Sequence, residues 1–113
     1  MHAAQASKII TDEYSAKILV CTLHKPRTAI EISRDFGIPI AACYRRIRML
    51  ENLGLLRCVE RRLSSEGKRT SVYVSMLKGA YIYLEDGVLK ARFELMDGKA
   101  EDYSEDWDKA LHV

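Results

Sequence analysis

Eight cationic side chains fall between Ala41 and Ser71: Arg45, Arg46, Arg48, Arg57, Arg61, Arg62, Lys68 and Arg69. Only Glu51, Glu60 and Glu66 oppose them in that stretch. Lysine and arginine at this density neutralise phosphates, and the planar arginine fork also matches the acceptor edge of guanine. The sequence offers little competing chemistry. It holds no nucleophile–base pair, no glycine-rich phosphate loop and no carboxylates at metal-ligand spacing, so no enzyme activity is expected. Cys21, Cys43 and Cys58 form no Cys-x-x-Cys pair, and His2, His24 and His112 do not cluster with them. Neither a metal nor a cofactor is expected, and the three thiols read as small buried hydrophobes. A redox-sensing role would require an exposed cysteine with a lowered pKa. The acidic run from Asp97 to Asp108 reads as a solvated tail.

The elements that position the basic side chains follow from the rest of the chain. Its 113 residues, 48% hydrophobic and 30% charged, fit one domain with an appendage. No apolar run reaches the ~20 residues of a membrane-spanning helix, and Met1 to Thr11 lacks the apolar core of a signal peptide. The chain is therefore expected to be soluble and cytoplasmic, with no membrane partner. The net charge of +2 conceals an asymmetry. Residues 1–76 carry thirteen Lys and Arg against seven Asp and Glu, and residues 77–113 carry five against nine.

Thr11-Asp12-Glu13 reads as a helix start, with acidic residues where the helix dipole favours them. Tyr14, Ile18, Leu19, Thr22 and Leu23 then recur at helical spacing until Pro26. Thr28 and Glu31 form a T-x-x-E capping box for a second helix with an Ile32/Phe36 stripe, ended by Gly37. Pro39 suits a first helical position, and Cys43, Ile47, Leu50 and Leu53 mark the buried face of a third helix from about Pro39 to Leu53. Gly54 ends it. Leu55 to Arg62 reads as a strand, Ser64 to Gly67 as a loop and Arg69 to Met76 as a returning strand.

The order helix, helix, tight turn, helix, strand, loop, strand is that of a helix-turn-helix with a β-wing. With Cys43, Ile47, Leu50 and Leu53 inward, Ala41, Ala42, Tyr44, Arg45 and Arg48 should point outward. Small residues at the helix start let a backbone approach a groove floor, and the arginines can then reach base edges or phosphates. Antiparallel pairing should bring Arg61, Arg62, Lys68 and Arg69 to the hairpin tip, suited to backbone or minor-groove contact.

The stretch Ile30 to Tyr73 resembles the winged helix-turn-helix of ArsR/MarR-like transcriptional regulators, especially short ArsR-like proteins of archaeal type. The resemblance rests on Glu31-Ile32-Ser33, on Phe36-Gly37-Ile38, on the block from Tyr44 to Leu56 and on Lys68 to Tyr73, with Ala16 to Leu19 also fitting. It implies a sequence-specific double-stranded DNA-binding regulator, a repressor and a homodimer. The third helix would enter the major groove, giving DNA-facing roles to Ala41, Ala42, Tyr44, Arg45 and Arg48, with Arg46 flanking. Thr28 and the wing residues Arg61, Arg62, Lys68 and Arg69 complete the set. ArsR-type metal sensors carry a cysteine-containing box in the second helix; Glu31 to Asp35 here has no cysteine, so metal sensing by that route is not expected.

Residues 77–113 exceed a minimal winged helix, dividing the chain into a DNA-binding domain, 1–76, and an extension, 77–113. Asp86-Gly87 is a two-residue hairpin turn. It sets Leu84 opposite Leu89, Ile82 opposite Ala91 and Ala80 opposite Phe93. This apolar face must pack on its own domain, on a second subunit or on a ligand. Tyr103, Trp107 and Leu111 recur every four residues, which predicts a short terminal helix. The fold class is thus α+β, a three-helix core plus wing with a C-terminal hairpin and helix. The extension is read as a dimerisation or packing element. A second reading makes the chain a protein-interaction module acting through it.

Overall fold

A computed structural model describes residues 1–63 and 65–112. The chain is mixed α+β, with five helices and two three-stranded antiparallel sheets among the described residues. It divides into two units, one of residues 13–76 and one of residues 1–12 with 77–113. The division between the two units falls after Met76. At the other end, residues 1–12 group with residues 77–113.

In the unit of residues 13–76, α2 (Glu13–Cys21), α3 (Ala29–Phe36) and α4 (Ile40–Asn52) pack together, and β2 (Leu56–Leu63) pairs with β3 (Arg69–Ser75). A two-residue strand, β1 (Arg27–Thr28), adds to the other edge of β3. Each helix end has a local cause. Glu31 N–H donates to Thr28 Oγ1 at 3.2 Å and Thr28 N–H donates to Glu31 Oε1 at 3.0 Å, the reciprocal capping box. At the other end Gly37 takes φ +67°, and Ile38 N–H closes onto the Ser33 carbonyl at 3.2 Å. α4 ends the same way. Gly54 has φ +76°, Gly54 N–H donates to Glu51 O and Leu55 N–H to Leu50 O at 2.9 Å, and both Leu50 and Leu55 are fully buried. Pro39 stands one position earlier than expected, as the residue capping α4 in an extended conformation.

Ile18, Ile32, Ile38, Cys43, Ile47, Leu50, Leu55 and Val72 form the core of this unit. Arg27 ties three parts of it together: its Nε donates to the Cys21 carbonyl at 2.7 Å, its guanidinium lies 4.9 Å over the Phe36 ring, and Asp35 sits 4.0 Å away. β2 and β3 match the strand spans expected from the sequence to within one residue, with an irregularity in β2 between Cys58 and Glu60. Ser65 to Gly67 form the turn; Ser64 of the expected loop lies outside the described residues.

The second unit departs further from expectation. β4 (Leu77–Glu85) and β5 (Val88–Leu95) form the hairpin in the anticipated register, Leu84 to Leu89, Ile82 to Ala91 and Ala80 to Phe93. Asp86 and Gly87 both take positive φ, +52° and +78°, as a type I′ turn requires. The segment after β5 is neither a solvated tail nor a helix carrying Tyr103. Asp97-Gly98 makes a second turn, and β6 (Ala100–Asp106) returns along β5. Tyr103 lies opposite Ala91, and its ring meets Phe93 edge-on at 5.7 Å. Alternation, not the four-residue spacing, governs here: Glu101, Tyr103 and Glu105 fall on the face of Phe93, while Asp102 on the other face holds the Arg92 guanidinium. The terminal helix is only α5 (Trp107–Leu111).

The apolar hairpin face is covered within its own unit. A further helix, α1 (Ala3–Thr11), which the sequence reading did not anticipate, buries Ala3, Ala6 and Ile9 and packs mainly on β5 and β6. Ala91, Phe93 and Leu95 are buried, while Leu84 at the far end remains 63% exposed. α5 docks through the Gly87 carbonyl, which accepts from Trp107 N–H at 3.0 Å and Asp108 N–H at 2.9 Å.

Thr28→Ala should cost about 1 kcal/mol in urea unfolding. The Glu31 carboxyl is held below its ordinary value, first by the Thr28 N–H. Its contribution is therefore complete above the ordinary carboxylate pKa and is lost as pH falls through the lowered folded value. Glu31→Gln should flatten that acid-side loss when unfolding is followed from neutral to acid pH. Separately, a Cβ on Gly87 would lie 2.4 Å from the Asp108 Cβ, whereas one on Gly98, at φ +89°, meets nothing. Gly87→Ala should therefore destabilise beyond the ~1–2 kcal/mol of a left-handed alanine and shift the emission of Trp107, the sole tryptophan. Gly98→Ala should show the backbone cost alone.

Candidate nucleic-acid interface

α4 has one face in the core and one in solvent. Cys43, Ile47 and Leu50 are buried, and Ala41, Tyr44, Arg45 and Arg48 are exposed along a stripe about 10 Å long. Ala42, expected on this stripe, is buried. It lies a quarter turn round from Ala41, on the side facing the packed helices, where a methyl group fills the space. Arg46 is half-buried with its guanidinium 5.4 Å from the Tyr14 ring centre, a cation–π contact that ties α4 to α2.

The hairpin sorts its cations by face. Arg61 pairs opposite Ser71, and Arg69 lies two residues from Ser71, so these three share a face. Arg62 is occupied by carboxylates, Glu60 at 3.2 Å and Glu31 at 3.6 Å. Among the described residues no carboxylate lies within ion-pair distance of Arg45, Arg48, Arg61 or Arg69. Their charge is thus directed outward, in a unit holding twelve Lys and Arg against six Asp and Glu.

A cleft of about 550 Å³ joins the two elements. Tyr44 of α4 forms one side, Ser65, Glu66, Lys68, Arg69, Thr70, Ser71 and Tyr73 of the hairpin form the other, and Ala29 and Ile30 of α3 contribute to the lining. The cleft thus brings together Tyr44, Lys68 and Arg69, which the sequence placed on two separate elements. Thr28 is buried and its hydroxyl is spent on the Glu31 N–H, so it presents the first turn of α3 and not its own oxygen. Thr70, Ser71 and Tyr73 were missed. Their signal was the polar Thr-Ser pair following Arg69 in a strand where Val72 and Ser75 are the buried residues. Burial raises the Tyr73 phenol pKa, so Tyr73 is a hydrogen-bonding phenol and not an anion at neutral pH.

Other chemistry has little footing in the described residues. No three His, Cys, Asp or Glu side chains converge as metal ligands. No helix is long and apolar enough to cross a membrane. Burial pushes the Cys21 thiol up to about 11, with a further rise from nearby Cys43 outweighed by Arg27. Cys43 is raised by burial too, and its thiol lies 3.6 Å from the Ala29 carbonyl. Neither is the activated thiolate that redox sensing requires. No family model matches the chain, and no curated protein matches it either.

The cysteine environments are directly measurable. At pH 8 the folded protein should hold about a hundredfold less thiolate at Cys21 than an ordinary free thiol. Iodoacetamide labelling read by mass spectrometry should be correspondingly slow at Cys21 and Cys43, and should become fast in urea.

Proposed function

We propose that this chain is a winged helix-turn-helix protein that binds double-stranded DNA sequence-specifically, and that it acts as a homodimeric transcriptional regulator, a repressor. One observation carries the reading. Arg45 and Arg48 stand without carboxylate partners on an exposed helix face, and that face shares a cleft with the basic hairpin through Tyr44, Lys68 and Arg69. α4 is long enough to lie in a major groove, which admits one helix. The exposed methyl of Ala41 permits close approach at its N-terminal end, where recognition helices meet base edges. Arg45 and Arg48 supply forked donors for guanine or phosphate, and Arg61, Lys68 and Arg69 supply backbone or minor-groove contacts beside it. The resemblance of residues 30–73 to ArsR/MarR-like regulators agrees with this assignment of roles. The pairing of Arg62 and Arg46 within the protein removes them from the strong contacts and leaves them as supports.

The experiment is selection of bound sequences from a random duplex library near physiological salt. Enrichment of an inverted repeat, with half-sites about one helical turn apart, is the expected result. The Arg45→Ala/Arg48→Ala double variant should unfold within about 0.5 kcal/mol of the parent, since both side chains are exposed. It should lose at least tenfold to a hundredfold in affinity for the selected sequence (about 1–3 kcal/mol per lost bidentate contact). Arg69→Ala should weaken all sequences alike and reduce the salt dependence. A folded protein with no duplex affinity, or a double variant that binds as the parent does, would overturn the reading.

A further inference from the structure

The two edges of the β4-β5-β6 sheet are chemically unlike. β6 carries Glu101, Asp102, Glu105 and Asp106, four carboxylates in seven residues and on both faces. Charge along an edge strand is a common means of keeping other strands away. β4 is nine residues long and has neither charge nor proline from Gly79 to Leu84. Within the sheet β4 pairs with β5 alone, so the outer row of N–H and C=O groups from Gly79 to Leu84 has no strand beside it. Tyr81, Tyr83 and Leu84 along it are 50%, 44% and 63% exposed. One sheet thus guards one edge and leaves the other open.

The open strand is complementary to itself. Two copies related by a two-fold axis normal to the sheet pair antiparallel, and each residue then faces one of the same parity, because paired residues share a face. Centred on Ile82, Ile82 meets its equivalent, Ala80 meets Leu84 of the second copy, and Tyr81 meets Tyr83 of the second copy. The one cation of the strand, Lys78, comes opposite Asp86 of the other copy, next to a Glu85 already held by Lys90 at 3.1 Å, and the symmetry makes this contact twice. Centred on Tyr81, Lys78 would face Leu84 and gain no partner. The geometry points to a second copy of this chain seated along β4, joined about Ile82 so that two three-stranded sheets become one of six strands. The exposed Leu84 is then covered by Ala80 of the second copy, on the apolar face that α1 leaves open at that end. The inference rests on the homodimer of the proposed function and not on DNA binding.

The test uses the full chain without DNA. Sedimentation velocity at tens of micromolar should show a dimer. Leu84→Lys sets a charge on an exposed side chain of the joint, opposite Ala80 of the second copy; it should weaken the dimer at least about tenfold with an unchanged circular dichroism spectrum. Ile82→Cys should give a covalent dimer under mild oxidation, and Ser104→Cys, on the guarded strand, should not. A monomeric parent, a dimer indifferent to Leu84→Lys, or cross-linking through Ser104→Cys in place of Ile82→Cys would overturn the proposal. A monomer that still selects a DNA sequence would overturn this joint and leave the DNA reading standing. A β4 dimer with no DNA affinity would do the reverse.

Discussion

Gly37 takes the left-handed conformation between α3 and α4, and the face that α4 turns to solvent depends on it. Only three residues separate the helices, so the turn sets the direction in which α4 departs. Ile38 is 1% exposed, with its N–H bonded to the Ser33 carbonyl, and the Ser33 hydroxyl donates back to the Ile38 carbonyl. The backbone is thus held at both ends of the turn while a large apolar side chain anchors its middle. A Cβ at residue 37 would meet open space, so the requirement for glycine here is conformational and not steric. With this direction set, Cys43, Ile47 and Leu50 must enter the core and Arg45 and Arg48 must leave it.

The basic stretch illustrates the difference between carrying charge and presenting it. Eight cations lie between Ala41 and Ser71, but the fold uses them unequally. Arg46 stacks on Tyr14, and Arg62 lies between Glu60 and Glu31. A guanidinium already paired must exchange one partner for another on meeting a phosphate and gains less from it. Among the described residues Arg45, Arg48, Arg61 and Arg69 have no carboxylate partner to give up. The same economy shapes the acidic unit, where Glu101 accepts from the Tyr103 hydroxyl, Glu105 from the Trp107 indole and Asp106 from the Lys109 N–H of α5. There burial and the Glu101 contact push the Tyr103 phenol up to about 12, so it remains a donor at any ordinary pH.

Much of this was legible in the sequence where the signal is local. The Thr28/Glu31 capping box, the Gly37 and Gly54 helix ends and the Asp86-Gly87 register depend on neighbours within a few residues, and all stand in the structure as the sequence suggested. The failures share a cause as well. Tyr103, Trp107 and Leu111 recur at helical spacing, but the alternation around Tyr103 and the second Asp-Gly pair, Asp97-Gly98, pointed to a hairpin. Pairing with β5 across many backbone bonds outweighed the spacing of three side chains. Ala3, Ala6 and Ile9 gave a narrow stripe in a nine-residue helix, too short to be stable without a surface to bury it.

By itself, then, the sequence determined the caps, the turn chemistry, the hairpin register and the inward and outward faces of α4 apart from Ala42. Each of these is written in residues close together along the chain. Tertiary structure alone decided which arginines stay unpaired, that Ala42 points inward, that Tyr44 and Arg69 line one cleft, and that α1 covers the hairpin. Those outcomes turn on contacts between residues far apart in sequence, where the partner of a side chain is set by how elements pack and not by its neighbours.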